Sequence, residues 1–272
     1  MEEVRSFLLK QAEGDLLPWK HHLFASTLFG LTMGQVEKLA LESGLLPSRY
    51  QRNRKTISVE DQLRLYQTHV AVIGCGGLGC YIIEEMTRLG IGRITAVDPD
   101  VFEEHNLNRQ LYATPAMLGQ SKVEAARTRV AEINPAVTLL PLKCAFGRVN
   151  GSDILQGVDI VVDALDSIPV RLELSEVSSE MNIPMVHGAI GGWYGQVATQ
   201  FPGEETLQKI YSRSADGTGV EKGMGNPSFT PAVIASLQVA EVCKIIIGKG
   251  TTLGKRKLHI NLLDMEFVEI QY

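Results

Sequence analysis

The stretch Val70-Ala71-Val72-Ile73-Gly74-Cys75-Gly76-Gly77-Leu78-Gly79, followed one helix further on by Ile94-Thr95-Ala96-Val97-Asp98, decides the fold. A short apolar run ending in a glycine loop reads as a buried strand that turns sharply into a helix, here running to about Leu89. Glycines allow the tight turn and let the backbone approach a ligand. Asp98 closes the second strand. Strand, loop, helix, strand and terminal acid form one mononucleotide-binding α/β half. A phosphate rests on the amides at the helix N-terminus, and ribose hydroxyls reach the acid. Gly74, Gly76, Gly77, Gly79 and Asp98 are therefore candidate nucleotide contacts. From this unit alone, a dinucleotide oxidoreductase and an ATP enzyme both fit.

Outward from it the alternation continues. A helix is expected over Lys122–Ile133 and strands over Val137–Leu140 and Val158–Val162. A helix over Val170–Met181, a strand over Met185–His187 and a long apolar helix over Pro231–Ile247 follow. Lys257–Leu263 and Phe267–Gln271 read as a closing pair of strands. The fold class is α/β: a doubly wound, Rossmann-like sheet, mostly parallel with antiparallel C-terminal strands, plus a small N-terminal helical extension. The expected division is residues 1–48 for the extension and 49–272 for the nucleotide-binding domain. In the extension Glu2–Gln11 is one helix. Thr32–Ser43 is a clearer one, with Thr32 as N-cap and Gly44 at its left-handed end. Arg49-Tyr50-Gln51-Arg52-Asn53-Arg54-Lys55 reads as a basic connector. Ser212–Ser228, rich in glycine and serine, reads as a mobile surface segment whose length suggests function.

Composition narrows the function. The 272 residues are 44% hydrophobic and 21% charged, an ordinary globular balance that excludes a disordered or low-complexity chain. A net charge of −5 argues against a nucleic-acid coat. Phe29-Gly30-Leu31-Thr32 faintly suggests a helix-turn-helix, but Arg5, Lys10, Lys20 and Lys38 are outnumbered by Glu2, Glu3, Glu13, Asp15, Glu37 and Glu42. The chain begins Met1-Glu2-Glu3 with no basic segment before an apolar one, so no secretory leader is expected. Met181–Gly203 is uncharged, yet Asn182, Pro184, His187 and Gln196 make it a poor membrane span. A soluble, cytoplasmic protein with no membrane partner is expected. Cys75, Cys80, Cys144 and Cys243 form no Cys-x-x-Cys pair and are expected to be free thiols.

The residues after Asp98 separate the two nucleotide readings. Asp98-Pro99-Asp100-Val101-Phe102 leads to Asn106-Leu107-Asn108-Arg109-Gln110, then Gly119-Gln120-Ser121-Lys122. Far along comes Asp163-Ala164-Leu165-Asp166-Ser167, with Arg171 beyond it. This ordered set resembles the ThiF/MoeB/HesA family of adenylyltransferases, relatives of the ubiquitin-activating enzymes, and the resemblance runs from about Arg49 to the C-terminus.

The resemblance implies that MgATP adenylates the C-terminal glycine carboxylate of a small ubiquitin-like sulfur-carrier protein ending in Gly-Gly. Pyrophosphate is the leaving group, in molybdenum/tungsten cofactor or thiamine sulfur transfer. Such a carboxylate is already ionised at neutral pH, so the task is positioning and charge neutralisation rather than proton abstraction. On the family pattern Arg109 and Lys122 meet the triphosphate, Asp166 holds Mg²⁺, and Asp100, Asn106, Asn108 and Gln110 line the nucleotide site. Arg52 matches an arginine that crosses a homodimer into the partner's site. Residue by residue the alternatives are a capping role for Asp166, a turn role for Asn108, a linker role for Arg52 and a salt bridge for Arg171. The chain departs from zinc-bearing members: it has no cysteine pairs, so no zinc is expected. Phe201–Pro231, where some members place a covalent cysteine, contains none. A thiolate role for Cys75 or Cys80 beside the helix N-terminus is a minor reading. His187 reads as a buried strand-end histidine, or as a neighbour of the carrier tail if its glycines admit an extended peptide. Trp193 and Tyr194 are core aromatics or part of that groove. The competing functions are a tRNA threonylcarbamoyladenosine dehydratase-like enzyme, a nicotinamide oxidoreductase and a non-catalytic carrier-binding scaffold.

Overall fold

The structure is a computed structural model describing residues 1–212 and 223–272. In chain order the elements are α1 (Glu2–Gln11), β1 (Leu16–Leu17), α2 (Trp19–Phe29), α3 (Met33–Glu42), β2 (Leu46–Pro47) and α4 (Val59–Gln67). Then come β3 (His69–Ile73), α5 (Gly77–Leu89), β4 (Arg93–Val97), α6 (Lys122–Ile133), β5 (Thr138–Leu142), α7 (Arg148–Ile154) and β6 (Ile160–Asp163). The last are α8 (Ile168–Glu180), β7 (Met185–Gly191), β8 (Tyr194–Gln200), α9 (Thr206–Tyr211), α10 (Phe229–Ile247), β9 (Arg256–Asn261) and β10 (Glu266–Gln271).

The main sheet runs β10-β9-β8-β7-β6-β3-β4-β5. From β7 to β5 it is parallel, and from β7 to β10 antiparallel. Central β3 explains its own apolar run, because every residue from His69 to Ile73 is buried. Val70 and Val72 enter one core with α5, α6 and α10. Ala71 and Ile73 enter the other with α7, α8 and Leu207 of α9. The chain leaves β3 toward β4 and β5, then returns across the sheet to β6 on the other side of β3. This reversal opens a crevice at the carboxyl ends of β3 and β6, the ligand position of doubly wound sheets.

The expected doubly wound architecture is present, with two additions. The expected strand Met185–His187 is the first part of a hairpin, β7 with β8, whose turn has Gly192 at φ +57°. α2, α4, α7 and α9 also fill stretches for which the patterning gave no element. The basic connector becomes a 3₁₀ turn and further turns leading into α4, which begins with a capping box between Ser58 and Asp61. Of the expected mobile segment Ser212–Ser228, residues 213–222 lie outside the described residues.

The N-terminal extension has its own small core of Val4, Leu8, Leu17, Ala25, Val36 and Leu39. Thr32 caps α3 as expected, and the Gln35 side chain returns the bond to the Thr32 amide. A buried polar cluster ties this unit to the sheet domain. Tyr50 Oη donates to Glu37 Oε1 (2.7 Å) and accepts from Asn134 Nδ2 (2.8 Å). Arg49 pairs with Glu37 (3.6 Å) and also donates to Asn134. Among the described residues only α10 is long and apolar enough to cross a membrane; it lies against β7, β8 and α5.

Candidate nucleotide-binding site

The crevice between β3 and β6 holds a cavity of about 480 Å³. Into it the fold brings Gly74, Gly76, Gly77, Asp98, Asp100, Asn106, Arg109, Gln110, Lys122 and Asp166. Three expected site residues stand elsewhere. Gly79 lies under the loop, packed so closely that an added Cβ would come within 1.9 Å of Gly74 O. Its smallness serves helix–strand packing. Asn108 is exposed; its amide donates to Asn226 O (3.1 Å) and its Oδ1 accepts from Arg109 (2.9 Å), so it fixes two residues that line the cavity. Arg52 is exposed in the turns before α4 and does not reach the cavity.

The glycine loop divides its labour. Gly74 has φ +99°, and a Cβ there would meet Ala164 O at 2.6 Å. At Gly76 and Gly77 an added Cβ makes nothing closer than 3.6 Å. Protein packing therefore leaves these two glycines unexplained, whereas a ligand lying on the loop explains them. α5 starts here with no side-chain cap, leaving amides at its N-terminus for an anion. Gln110 Oε1 is buried without a hydrogen-bond partner in the same wall. These features fit a nucleotide with its phosphates at the loop.

Asp98 is nearly buried and organises the site. Its Oδ2 accepts from Cys75 N (2.7 Å), pinning the glycine loop to β4, and its Oδ1 accepts from Asp100 N (2.8 Å). A carboxylate has about four acceptor positions, so capacity for a ribose hydroxyl is left. Lys122, the first residue of α6, is also nearly buried, with Nζ 2.9 Å from Asp100 and 4.0 Å from Asp98. An arriving phosphate can draw this ammonium from Asp100. Arg109 is half-buried and steadied by His105 O (2.9 Å) and Asn108. Asn106 is buried in a 3₁₀ turn, where its Oδ1 caps Glu103 N (3.0 Å).

Asp166 projects from the loop after β6, exposed at the cavity wall. It does not cap α8: Ser167 is the N-cap residue, and no side chain caps that helix. Among the described residues no group of three or more His, Cys, Asp or Glu side chains could enclose a metal. A lone carboxylate facing a phosphate site suits Mg²⁺, which takes one or two protein carboxylates together with phosphate oxygens. Cys75 and Cys80 are fully buried, and burial pushes the Cys80 thiol up to about 12 and raises Cys75 well above its ordinary value. Neither is a thiolate nucleophile at neutral pH, which overturns the minor reading of these two cysteines.

His187 is completely buried inside β7, and Gly188 and Gly195 do not open a peptide groove beside it. A Cβ at Gly188 would strike Gln238 and one at Gly195 would strike Ile234, both from α10. These two glycines admit a helix, and the His187 ring itself, fully buried, offers a peptide no surface. Trp193 is partly exposed at the hairpin turn and packs on Phe229 (4.5 Å), while Tyr194 stacks with His259. The cavity also takes His105, Cys144, Phe146, Arg171, Ile190 and Asn226, which the motifs did not assign to it. The Cys144–Phe146 loop follows β5, so knowledge of the strand order would have pointed to it.

Residues 50–272 match the ThiF family. The chain belongs to the ThiF family. It is 32% identical over 228 residues to the SAMP-activating enzyme E1 of Haloferax volcanii, covering 82% of this chain and 84% of that protein. It is 30% identical over 217 residues to the molybdopterin-synthase adenylyltransferase of Salmonella typhimurium, covering 78% and 86%. Against the adenylyltransferase and sulfurtransferase MOCS3 of Xenopus laevis it is 32% identical over 79% of its own length but spans only 48% of that protein. Among solved structures, Escherichia coli MccB with AMPCPP and MccA superposes with a TM-score of 0.68 at 20% identity, over 82% of this chain and 71% of that one. That likeness carries the fold.

Proposed function

We propose that this ThiF-family protein uses ATP to adenylate the C-terminal glycine carboxylate of a small ubiquitin-like sulfur-carrier protein, releasing pyrophosphate. The observation that carries the reading is the convergence of the glycine loop, Asp98, Arg109, Lys122 and Asp166 on one cavity. The names of relatives at 30% identity or above, matched along most of their length, support it. The loop amides and Lys122 bind the triphosphate, Asp98 receives the ribose, and Gln110 offers its orphaned carbonyl to the nucleotide. Arg109 neutralises charge that would otherwise repel the incoming carboxylate. No general base is required, because that carboxylate is already ionised.

Asp166 would hold Mg²⁺ against the phosphates, where the ion, when bound, offsets charge on the departing pyrophosphate. The proposal extends to a cytoplasmic homodimer, with Arg52 of each protomer serving the site of its partner. Pyrophosphate release is the test. Purified protein with ATP, Mg²⁺ and candidate carriers ending in Gly-Gly should release it, and a carrier lacking the terminal glycine should not. Release with tRNA in place of a carrier would favour the dehydratase reading, and no turnover with any carrier the protein binds would favour the scaffold.

A further inference from the structure

Beneath the Asp166 loop four side chains close a ring of three hydrogen bonds and one ion pair. Arg171 Nη1 donates to Tyr211 Oη (2.8 Å), and Tyr211 Oη donates to His187 Nε2 (3.2 Å). His187 Nδ1 donates to Asp163 Oδ2 (2.6 Å), which also lies 3.2 Å from Arg171 Nε. Burial holds the His187 imidazole below its ordinary pKa although Asp163 pulls the other way. A neutral imidazole with its proton on Nδ1 lets His187 donate to Asp163 and accept from Tyr211. Asp163 and His187 are fully buried and Arg171 is 2% exposed, so Asp163 and Arg171 are a compensated interior ion pair.

The ring grips the backbone beside Asp166. Leu165 N donates to Asp163 Oδ1 (2.9 Å), while Leu165 O accepts from Arg171 Nη2. On the other side, Ser167 O accepts from Arg171 N (3.0 Å) in the first turn of α8. Asp166 is thus held from both neighbours, and its own carboxylate has no hydrogen bond or ion pair among the described residues. We infer that Arg171, set by its ring with Asp163, His187 and Tyr211, is the positioning residue that presents the Asp166 carboxylate to metal-bound nucleotide. The inference rests on the metal role proposed for Asp166. It gives the buried His187 a task and joins α9, through Tyr211, to the nucleotide site.

Calorimetric titration of a non-hydrolysable ATP analogue into the full chain, once with Mg²⁺ and once with EDTA, tests this without turnover or any carrier. Asp166→Ala should remove the gain in affinity that Mg²⁺ brings. Arg171→Gln should remove about tenfold of that gain, read as the ratio of the Mg²⁺ affinity to the EDTA affinity, the usual lower effect of losing a group behind a metal ligand. Tyr211→Phe deletes one hydroxyl and preserves the packing, so it reports even if Arg171→Gln does not fold. It should lose roughly threefold, about one neutral hydrogen bond. A full metal gain in a folded ring variant, or equal loss of affinity with and without metal, overturns the inference while Asp166 keeps its role. A wild-type protein with no metal gain removes both.

Discussion

At the residue scale the glycine loop separates packing from binding. Gly79 is required by Gly74 O, 1.9 Å from where a Cβ would stand, and a backbone oxygen cannot rotate away. Gly79→Ala should therefore cost about 1–3 kcal/mol of stability, as overpacked cores do, with a lower melting temperature measured by calorimetry. At Gly76 the nearest atom to a Cβ is Gln110 Nε2 at 3.6 Å, on the cavity side. Gly76→Ala should melt with wild type yet bind ATP about tenfold more weakly or worse, the loss of one or two charge-assisted hydrogen bonds. Equal binding by Gly76→Ala would remove the phosphates from this loop. The motif Gly74-Cys75-Gly76-Gly77-Leu78-Gly79 shows its glycines in the sequence. Which of them face a ligand depends on Ala164 and Gln110, distant in the chain, and so only the fold could tell.

At the element scale, α2 shows why some of the architecture was hidden. It is apolar on several faces: Leu23, Phe24 and Leu28 are exposed while His22 and Ala25 are buried, so no single stripe marks a helix. Its N-cap residue is Pro18, which offers no capping side chain. His22 Nε2 donates to Met33 O (2.9 Å), and Arg49 lies 3.5 Å from Nδ1. Burial lowers the His22 pKa from 6.5 to about 4. The unfolded chain then binds a proton below pH 6.5 that the folded chain refuses, so this histidine makes stability fall as pH drops from 6.5 to 4. His22→Gln should flatten that decline by about 1–3 kcal/mol, read from urea unfolding at pH 7 and pH 4.5. An unchanged slope would show that His22 is protonated in the fold. β8 was hidden for another reason. Its Thr199 and Gln200 are buried but satisfied by Glu241 and Ser175, and the space at Gly195 belongs to Ile234. No local alternation records such partners, whereas β3, buried on both faces, announced itself. The segment Gly203–Tyr211 contains no cysteine, runs through a turn into α9 and ends at Tyr211, whose hydroxyl accepts from Arg171. Chelators should leave the melting temperature unchanged, and elemental analysis finding one zinc per chain would contradict this.

At the scale of the whole molecule the open question is how the site is completed. The cavity gathers Arg109 and Lys122 around the proposed phosphates, but Lys122 is also held by Asp98 and Asp100. One further cation would relieve the meeting of carboxylate and triphosphate, and Arg52 stands exposed, outside its own cavity. A two-fold dimer in which each Arg52 enters the partner's cavity would create two equal sites, each built from both chains. Arg52→Ala should then stay dimeric but release little pyrophosphate, and Asp166→Ala should do the same from the other side of the site. Mixed heterodimers would contain one site lacking both groups and one site with both intact. They should recover up to about half of the wild-type activity per dimer, measured on heterodimers isolated with two affinity tags. If Arg52 acts within its own chain, every site in the mixture lacks one group and no activity returns. If Arg52 is only a solvated turn residue, Arg52→Ala alone turns over like wild type. Because the heterodimer is isolated before the assay, failure to assemble is read separately from failure to complement, and each of the three placements of Arg52 gives its own result.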